Sequence, residues 1–445
     1  MSDTIAAIAT SGGSGSIAIV RLSGPDAPSI ARTIAPQASL KPRYAELTSL
    51  YDAEERLIDR GIVLAFPEPH SFTGETVVEF QCHGGVIIAE EILEALRHAG
   101  ARLAEPGEFS KRAFLNGKID LSEAEAIAGL IEAKSVSGAR LLARQLRGGL
   151  GAFVDATRDA LLQLLAHTEV LIDYAEEPDT AEAKRLEAML QDQRIQLDRI
   201  VQSSRRRRGM IEGFRVAIIG KPNVGKSALL NAFLAWDRAI VSSEAGTTRD
   251  TIEEPIRIGT HAVRLIDTAG IRDAQDRIER LGVERTLASV SEADVVLALF
   301  DGSRPFDAED QRIVALLEGR KEESVIVAIN KNDLPPVLSH RYLERYRPVT
   351  ISVLEGVDPL FAALERRLDA LSAGEEPLLV SARQIAAVET ARMHLDEAAA
   401  PLDRGELELF GYHVREAIQT IGSITHPYDN SEVLDQMFGT FCLGK

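Results

Sequence analysis

Over residues 1 to about 117, short apolar runs are separated by glycine and proline turns. The runs "GSIAIVRLSG", "GIVLAF" and "TVVEFQCHGG" have the length and β-branched content of strands. The opening "MSDTIAAIATSGGSGSIAIVRLSG" reads as strand, Gly-rich loop and strand. "GVIIAEEILEALRHAG" places apolar residues at helical spacing and stops at Gly100, which predicts an amphipathic helix. The whole stretch predicts an α+β domain.

From Leu121 the period becomes helical throughout. "LSEAEAIAGLIEAKSVSGARLLARQL" opens on Ser122 and Glu125, spaced as a capping box in which each side chain satisfies a free amide. Ala, Leu, Glu and Arg dominate to about residue 203, with breaks near Gly148 to Gly151 and at Pro178. This pattern predicts long helices packed as a bundle. Arg205 to Arg208 close the stretch. They read as a solvated helix end, where cations suit the negative pole, or as a nucleic-acid contact. The first reading is preferred, because short basic runs match by chance.

Residues 211 to about 375 alternate apolar strands with helices, the signature of an α/β domain, and from Pro377 the chain is helical again. Two helical segments thus flank an α/β insertion. They are expected to pack together, since neither is large enough to bury a core alone. The predicted division is 1–118, 119–210, 211–375 and 376–445. The fold class is multidomain: an α+β N-terminal domain, an all-α helical domain and an inserted P-loop domain.

Composition narrows the class. At 445 residues, with 45% hydrophobic and 27% charged positions, the chain reads as soluble, globular and multidomain. No apolar run reaches the ~20 residues of a membrane span, and the start lacks the basic lead of a secretory signal. The two cysteines, Cys82 and Cys442, suggest no disulfide framework and point to a reducing cytoplasm. Lys and Arg number 50 against 68 Asp and Glu, a net charge of −18. That balance argues against gripping nucleic acid by bulk charge, although a local basic patch or a basic partner is compatible with it.

The strongest local chemistry begins at Gly220. "FRVAIIG" is a strand that runs into Gly220-Lys221-Pro222-Asn223-Val224-Gly225-Lys226-Ser227 and then into the helix "ALLNAFLA". This is G-x-x-x-x-G-K-S in its strand–loop–helix context, a phosphate cradle. Asn223, Val224, Gly225, Lys226, Ser227 and Ala228 are the expected nucleotide contacts, with Lys226 on the β- and γ-phosphates and Ser227 on Mg²⁺. "VRLIDTAG" ends a strand at Asp267-Thr268-Ala269-Gly270, where Asp267 can hold Mg²⁺ through water and Gly270 can sense a γ-phosphate. "SVIVAINKND" ends a strand at Asn330-Lys331-Asn332-Asp333. The Asp333 carboxylate can accept from two guanine N–H donors that adenine does not offer. Ser352 and Val353 take the place of the loop behind the base. Four ordered motifs at strand ends point to GTP.

Catalysis needs more than these. Ile271 stands where a water-orienting Gln is found in Ras-like proteins, and no arginine finger is marked. "VSSEAGTTRD" (241–250), which holds Ser242, Ser243, Glu244, Ala245, Gly246, Thr247 and Thr248, reads as a switch loop, with Thr248 sensing Mg²⁺. Asn223 is either a turn former or, with carbonyls of that loop, part of a monovalent-cation site in the finger's position. Residue type leaves both open. Glu279 is a candidate to orient the attacking water.

The chain resembles the MnmE (TrmE) family of tRNA-modification GTPases over essentially all 445 residues. The resemblance rests on "IAAIAT" with "IAIVRLSG", "SFTGETVVEFQCHGG", "PGEFSKRAFLNGKIDLSEAEAI" and the terminal "FCLGK". "GKPNVGKSALLN", "VSSEAGTTRD" and "DTAGIR" are shared more widely among GTPases. It implies a potassium-dependent GTPase in which Asn223, Ser242, Glu244 and Thr247 coordinate K⁺, Ser227 and Thr248 hold Mg²⁺, and Glu279 orients the water. It implies G domains that pair face to face in a homodimer. It also implies an N-terminal domain that binds a 5-formyl- or methylene-tetrahydrofolate through Arg21, Glu79, Lys118 and the terminal Lys445. Cys442 matches a cysteine near that folate. Cys82 and His83 read as structural. With an FAD-containing partner, in a heterotetramer, the family modifies carbon 5 of the wobble uridine in certain tRNAs, and the partner supplies much of the tRNA grip. The alternative is a ribosome-assembly type GTPase switch, which should carry a basic tail that "HPYDNSEVLDQMFGTFCLGK" is not.

Overall fold

The computed structural model describes residues 3–174, 180–241, 256–266, 290–374, 376–426, 431–441 and 444. The chain divides into two compact units, Met1–Ala128 with Ile421–Lys445, and Gly129–Thr420.

The first unit is built on six strands: β1 (Ile5–Ile8), β2 (Ile17–Ser23), β3 (Glu46–Tyr51), β4 (Leu57–Phe66), β5 (Val77–His83) and β6 (Arg102–Leu103). Their order is β3-β4-β5-β2-β1-β6, antiparallel except for the parallel β1–β6 pair. Alternation decides the faces. Ala18, Val20 and Leu22 of β2 and Val78, Phe80 and Cys82 of β5 are buried in one core with the helices Ala27–Ile34 and Val86–His98. The Cys82 thiol lies 3.5 Å from the Ala18 carbonyl, and burial raises its pKa, so it is a packed side chain and not a nucleophile. His83 departs from the structural role expected of it. Its imidazole is 76% exposed and its Nδ1 lies 2.8 Å from Asp59 Oδ1, because the last residue of β5 points away from the core.

Beneath the sheet Arg112 is fully buried among carboxylates. Its guanidinium donates to Asp3, Glu75 and Glu108 at 2.8–3.2 Å. Ser431–Phe438 also belongs to this unit, and Leu434 and Phe438 pack with Leu121 and Ala124.

The helix Leu121–Glu132 starts differently from the expected box. Asp120, not Ser122, is the cap: its Oδ1 accepts from the Glu123 amide at 2.8 Å, and Glu123 Oε2 accepts from the Asp120 amide at 2.8 Å. Ser122 is 1% exposed and donates its hydroxyl to Asp120. The S-x-x-E spacing at 122 and 125 was matched by D-x-x-E at 120 and 123, and burial of Ser122 decided between them.

The second unit carries helices Val136–Gln145, Gly149–Tyr174, Thr180–Arg207, Ala382–Asp403 and Leu407–Gly422. Thr180–Arg207 packs on Ala382–Asp403, with Arg194 donating to Asp396 at 2.7 Å. The basic run fits neither of its two readings fully. Arg207 is 4% exposed and donates to the Gly374 carbonyl, Ser203 Oγ and the Glu376 carbonyl at 2.6–3.2 Å. Arg205 pairs with Glu389 and Arg208 with Glu212. Arg207 is therefore a structural tie, while Arg205, Arg206 and Arg208 are exposed at the helix end as the preferred reading expects.

The α/β part holds β7 (Phe214–Gly220), β8 (Ile256–Ile258), β9 (His261–Ile266), β10 (Val295–Asp301), β11 (Val325–Asn330) and β12 (Val349–Thr350). Their order is β12-β11-β10-β7-β9-β8, parallel except for the β8–β9 pair. β10 and β11 are buried at every position, as strands covered on both faces must be. Chain order reverses at β7, so a crevice opens beyond the carboxyl ends of β7 and β10, where open α/β sheets bind ligands.

Candidate nucleotide-binding site

The loop Gly220 to Ser227 leaves the carboxyl end of β7 and enters the helix Lys226–Val241. Free amides and the positive pole of that helix face whatever occupies the loop. Gly225 has φ of 104°, and a Cβ there would sit 2.4 Å from Asn330 Nδ2, so no larger residue fits. Asn223 has φ of 64°, the left-handed conformation that Asn tolerates, and its side chain is exposed. It therefore turns the loop and still offers a carboxamide outward. Lys226 Nζ donates to the Gly220 and Lys221 carbonyls at 2.7 and 2.6 Å, and burial holds its pKa below the ordinary lysine value. A half-buried ammonium within a cradle of amides is complementary to phosphate oxygens. Ser227 and Ala228 are exposed at the helix start, and Val224 is buried beneath.

The residues at the end of β11 are tied to this loop. Asn330 is 3% exposed, donates Nδ2 to the Val224 carbonyl at 2.8 Å and accepts the Val353 amide on Oδ1 at 3.0 Å. Asp333 accepts from Ser352 Oγ at 2.7 Å on Oδ1, which orients the carboxylate and leaves Oδ2 for a ligand. Lys331 Nζ donates to Asp301 Oδ2 at 2.6 Å. Burial would raise the Asp301 carboxyl, but hydrogen bonds from Lys331 and Ser303 outweigh it and leave its pKa below the usual value. Sequence reading missed two braces. Asp301 ends β10 beside the base-side loop, and Lys221 Nζ bridges Asp307 and Asp310 at 2.8 and 2.7 Å, anchoring the cradle to the helix Ala308–Glu318. The capping box on that helix, Asp307 with Asp310, was its only local signal.

Ser242, Ser243, Glu244, Ala245, Gly246, Thr247, Thr248, Asp267, Thr268, Ala269, Gly270 and Glu279 lie outside the described residues, as do Cys442 and Lys445.

A second set of expected residues meets in the first unit. Arg21 and Glu79 stand directly opposite across β2 and β5. Arg21 Nε and Nη2 approach Glu79 Oε1 at 2.9 and 2.8 Å, while Glu79 Oε2 has no partner among the described residues. Arg21 Nη1 lies 3.4 Å from the Gly444 carbonyl, and its guanidinium lies 5.7 Å from the Phe109 ring centre. Lys118 is exposed beside Gly74, with no hydrogen bond or ion pair to Arg21 or Glu79.

The sheet, the cradle and the tied base-side loop define a P-loop GTPase domain joined to a helical scaffold. The chain matches the model of the GTP-binding protein TrmE N-terminus over residues 4–118 and that of the MnmE helical domain over residues 121–442. It is 56% identical over 447 residues to the tRNA modification GTPase MnmE of a Sulfurovum species, covering 100% of this chain and 99% of that one. It is 52% identical over 444 residues to the protein of the same name from Aliarcobacter butzleri, with 100% and 99% covered. Among solved structures, an Aquifex aeolicus Era variant bound to GDP.AlF4- shares 30% identity over 41% of this chain and 66% of that one, with a TM-score of 0.27. The chain belongs to the MnmE family of tRNA modification GTPases.

Proposed function

We propose that this tRNA modification GTPase is activated by potassium and by pairing of its G domains in a homodimer. With a flavin-containing partner it modifies carbon 5 of the wobble uridine of certain tRNAs, in the cytoplasm. The domain at 1–118 holds a tetrahydrofolate derivative, the segments 119–210 and 376–445 form the helical domain, and 211–375 is the G domain. One observation carries the nucleotide half of this reading: Asn330 Nδ2 holds the Val224 carbonyl at 2.8 Å, so the base-side loop and the phosphate cradle form one site.

The chain's own residues perform recognisable tasks in this reading. Lys226 turns its ammonium from the loop carbonyls to the β- and γ-phosphates, Ser227 offers its hydroxyl to Mg²⁺, and Asp333 accepts the guanine N–H donors. Asn223, already turned outward, supplies an oxygen to K⁺ together with Ser242, Glu244 and Thr247. Held by these residues, a cation would supply positive charge where the leaving oxygens gain negative charge, the task of an arginine finger elsewhere. Glu279 orients water, which Ile271 is unable to do.

In the first unit, Glu79 Oε2, without a partner among the described residues, offers an acceptor to pterin N–H donors, and Arg21, Lys118 and Lys445 offer cations to a folate's carboxylates. A net charge of −18 leaves bulk attraction of tRNA to the partner.

GTP turnover measured in KCl and in NaCl at equal ionic strength tests the central step. The rate should be higher in KCl by a factor on the order of 10², and Asn223→Ala should remove the difference. Equal rates in the two salts for the unaltered chain would discard potassium activation.

A further inference from the structure

The helices Ala382–Asp403 and Leu407–Gly422 are joined by a short turn in which Gly405 takes φ of 74°. Three metal-ligating side chains meet across this hairpin. His394 and Glu397 stand at i and i+3 on the first helix and so share a face, and His413 meets them from the second. The Nδ1 atoms of His394 and His413 lie 3.5 and 3.3 Å from the same oxygen, Glu397 Oε2. All three ligand atoms fall within 4.8 Å of one another.

The histidine side chains are 19% and 16% exposed, and Glu397 is 48% exposed. Among the described residues neither Nδ1 has a hydrogen-bond partner, although both atoms are buried. They are close to the carboxylate without being aligned to it as donors. Buried ring nitrogens are normally paired, so two of them left unpaired beside one oxygen call for a shared partner. Ligand nitrogen and oxygen atoms about 2.0–2.2 Å from a tetrahedral ion are about 3.3–3.6 Å apart. The observed separations from Glu397 Oε2 fall in that range.

We propose that His394, Glu397 and His413 form a binding site for a divalent transition-metal ion, zinc foremost, with the remaining position open to water. Two imidazoles and one carboxylate suit zinc, whereas Mg²⁺ takes oxygen ligands and has no use for the imidazoles. The site is built from residues that the nucleotide and folate readings do not use. A bound ion clamps the two helices and stabilises the hairpin against opening.

The experiment uses the full chain without an affinity tag, in excess Mg²⁺ and GDP so that the nucleotide site is filled. Zn²⁺ alone is titrated by calorimetry, and Co²⁺ is followed by its tetrahedral visible absorption. One Zn²⁺ per chain, a cobalt spectrum that zinc displaces, and a raised Tm support the proposal. His413→Asn and Glu397→Gln should each weaken zinc at least about tenfold. Glu397 is half exposed, so its variant tests the site even where a histidine variant fails to fold, and its GTP turnover should match the unaltered chain. Absence of stoichiometric zinc, or equal zinc affinity in the unaltered chain and Glu397→Gln, would overturn the assignment.

Discussion

Ser352 occupies one carboxylate oxygen of Asp333 at 2.7 Å, and in the proposed reading the other meets the base. The arrangement places its plane before a ligand arrives, which is what specificity by hydrogen bonding needs. Asp333→Asn replaces an acceptor for two N–H donors with a group that is half donor. Charge-assisted hydrogen bonds contribute about 1.5–3 kcal/mol each, so GTP affinity should fall on the order of 10²-fold, measured by titration with a fluorescent guanine nucleotide. A change under about threefold, less than 1 kcal/mol by the same scale, would remove Asp333 from base recognition. Asp333 was legible in the sequence because N-K-x-D is contiguous. Its partner Ser352 was legible only as a place in a loop, and Lys221's bridge to Asp307 and Asp310 left no local trace beyond the capping box of those two acids, since it spans 86 and 89 positions.

At the scale of elements, local rules predicted most strands and helices and erred where burial intervened. The helix at Leu121 offered two caps of the same spacing. Asp120 won because Ser122 is 1% exposed and turned inward. Asp120→Ala should cost about 1 kcal/mol and speed hydrogen exchange at the Glu123 amide, which its carboxylate now holds. Unchanged exchange there would show that the Asp120 carboxylate does not protect that amide. The same limit explains the arginine run. Four adjacent cations look solvated by composition, yet Arg207 finds the Gly374 and Glu376 carbonyls at |i−j| of 167 and 169. Periodicity records which face of a helix is apolar, not what distant chain arrives to meet it.

For the whole molecule, the proposed catalytic step depends on a second copy. Turnover per chain should rise with protein concentration in K⁺, and light scattering should show the mass double when GDP and aluminium fluoride are added. A monomeric mass under those conditions, with turnover unchanged by dilution, would end the dimer reading. The first unit raises a parallel point. Residues 421–445 group with 1–128 across the length of the chain, and the Gly444 carbonyl lies 3.4 Å from Arg21. The Arg21–Glu79 pair thus lies beside residues from both ends of the sequence.

By itself the sequence determined that this chain binds a nucleotide, and that guanine is the base its motifs select, because the cradle and the N-K-x-D box are short contiguous segments. Their geometry follows from backbone rules acting over a few residues: glycine at a crowded turn, a strand feeding a helix, a carboxylate on a strand end. Only the tertiary structure decided that Asn330 braces Val224 from 106 positions away, that Arg21 occupies one oxygen of Glu79 while the other has no partner among the described residues, and that His394 and His413 converge on Glu397. Those juxtapositions depend on strand register and on which helix faces pack. Both are settled by burial over the whole chain, so no local window contains them.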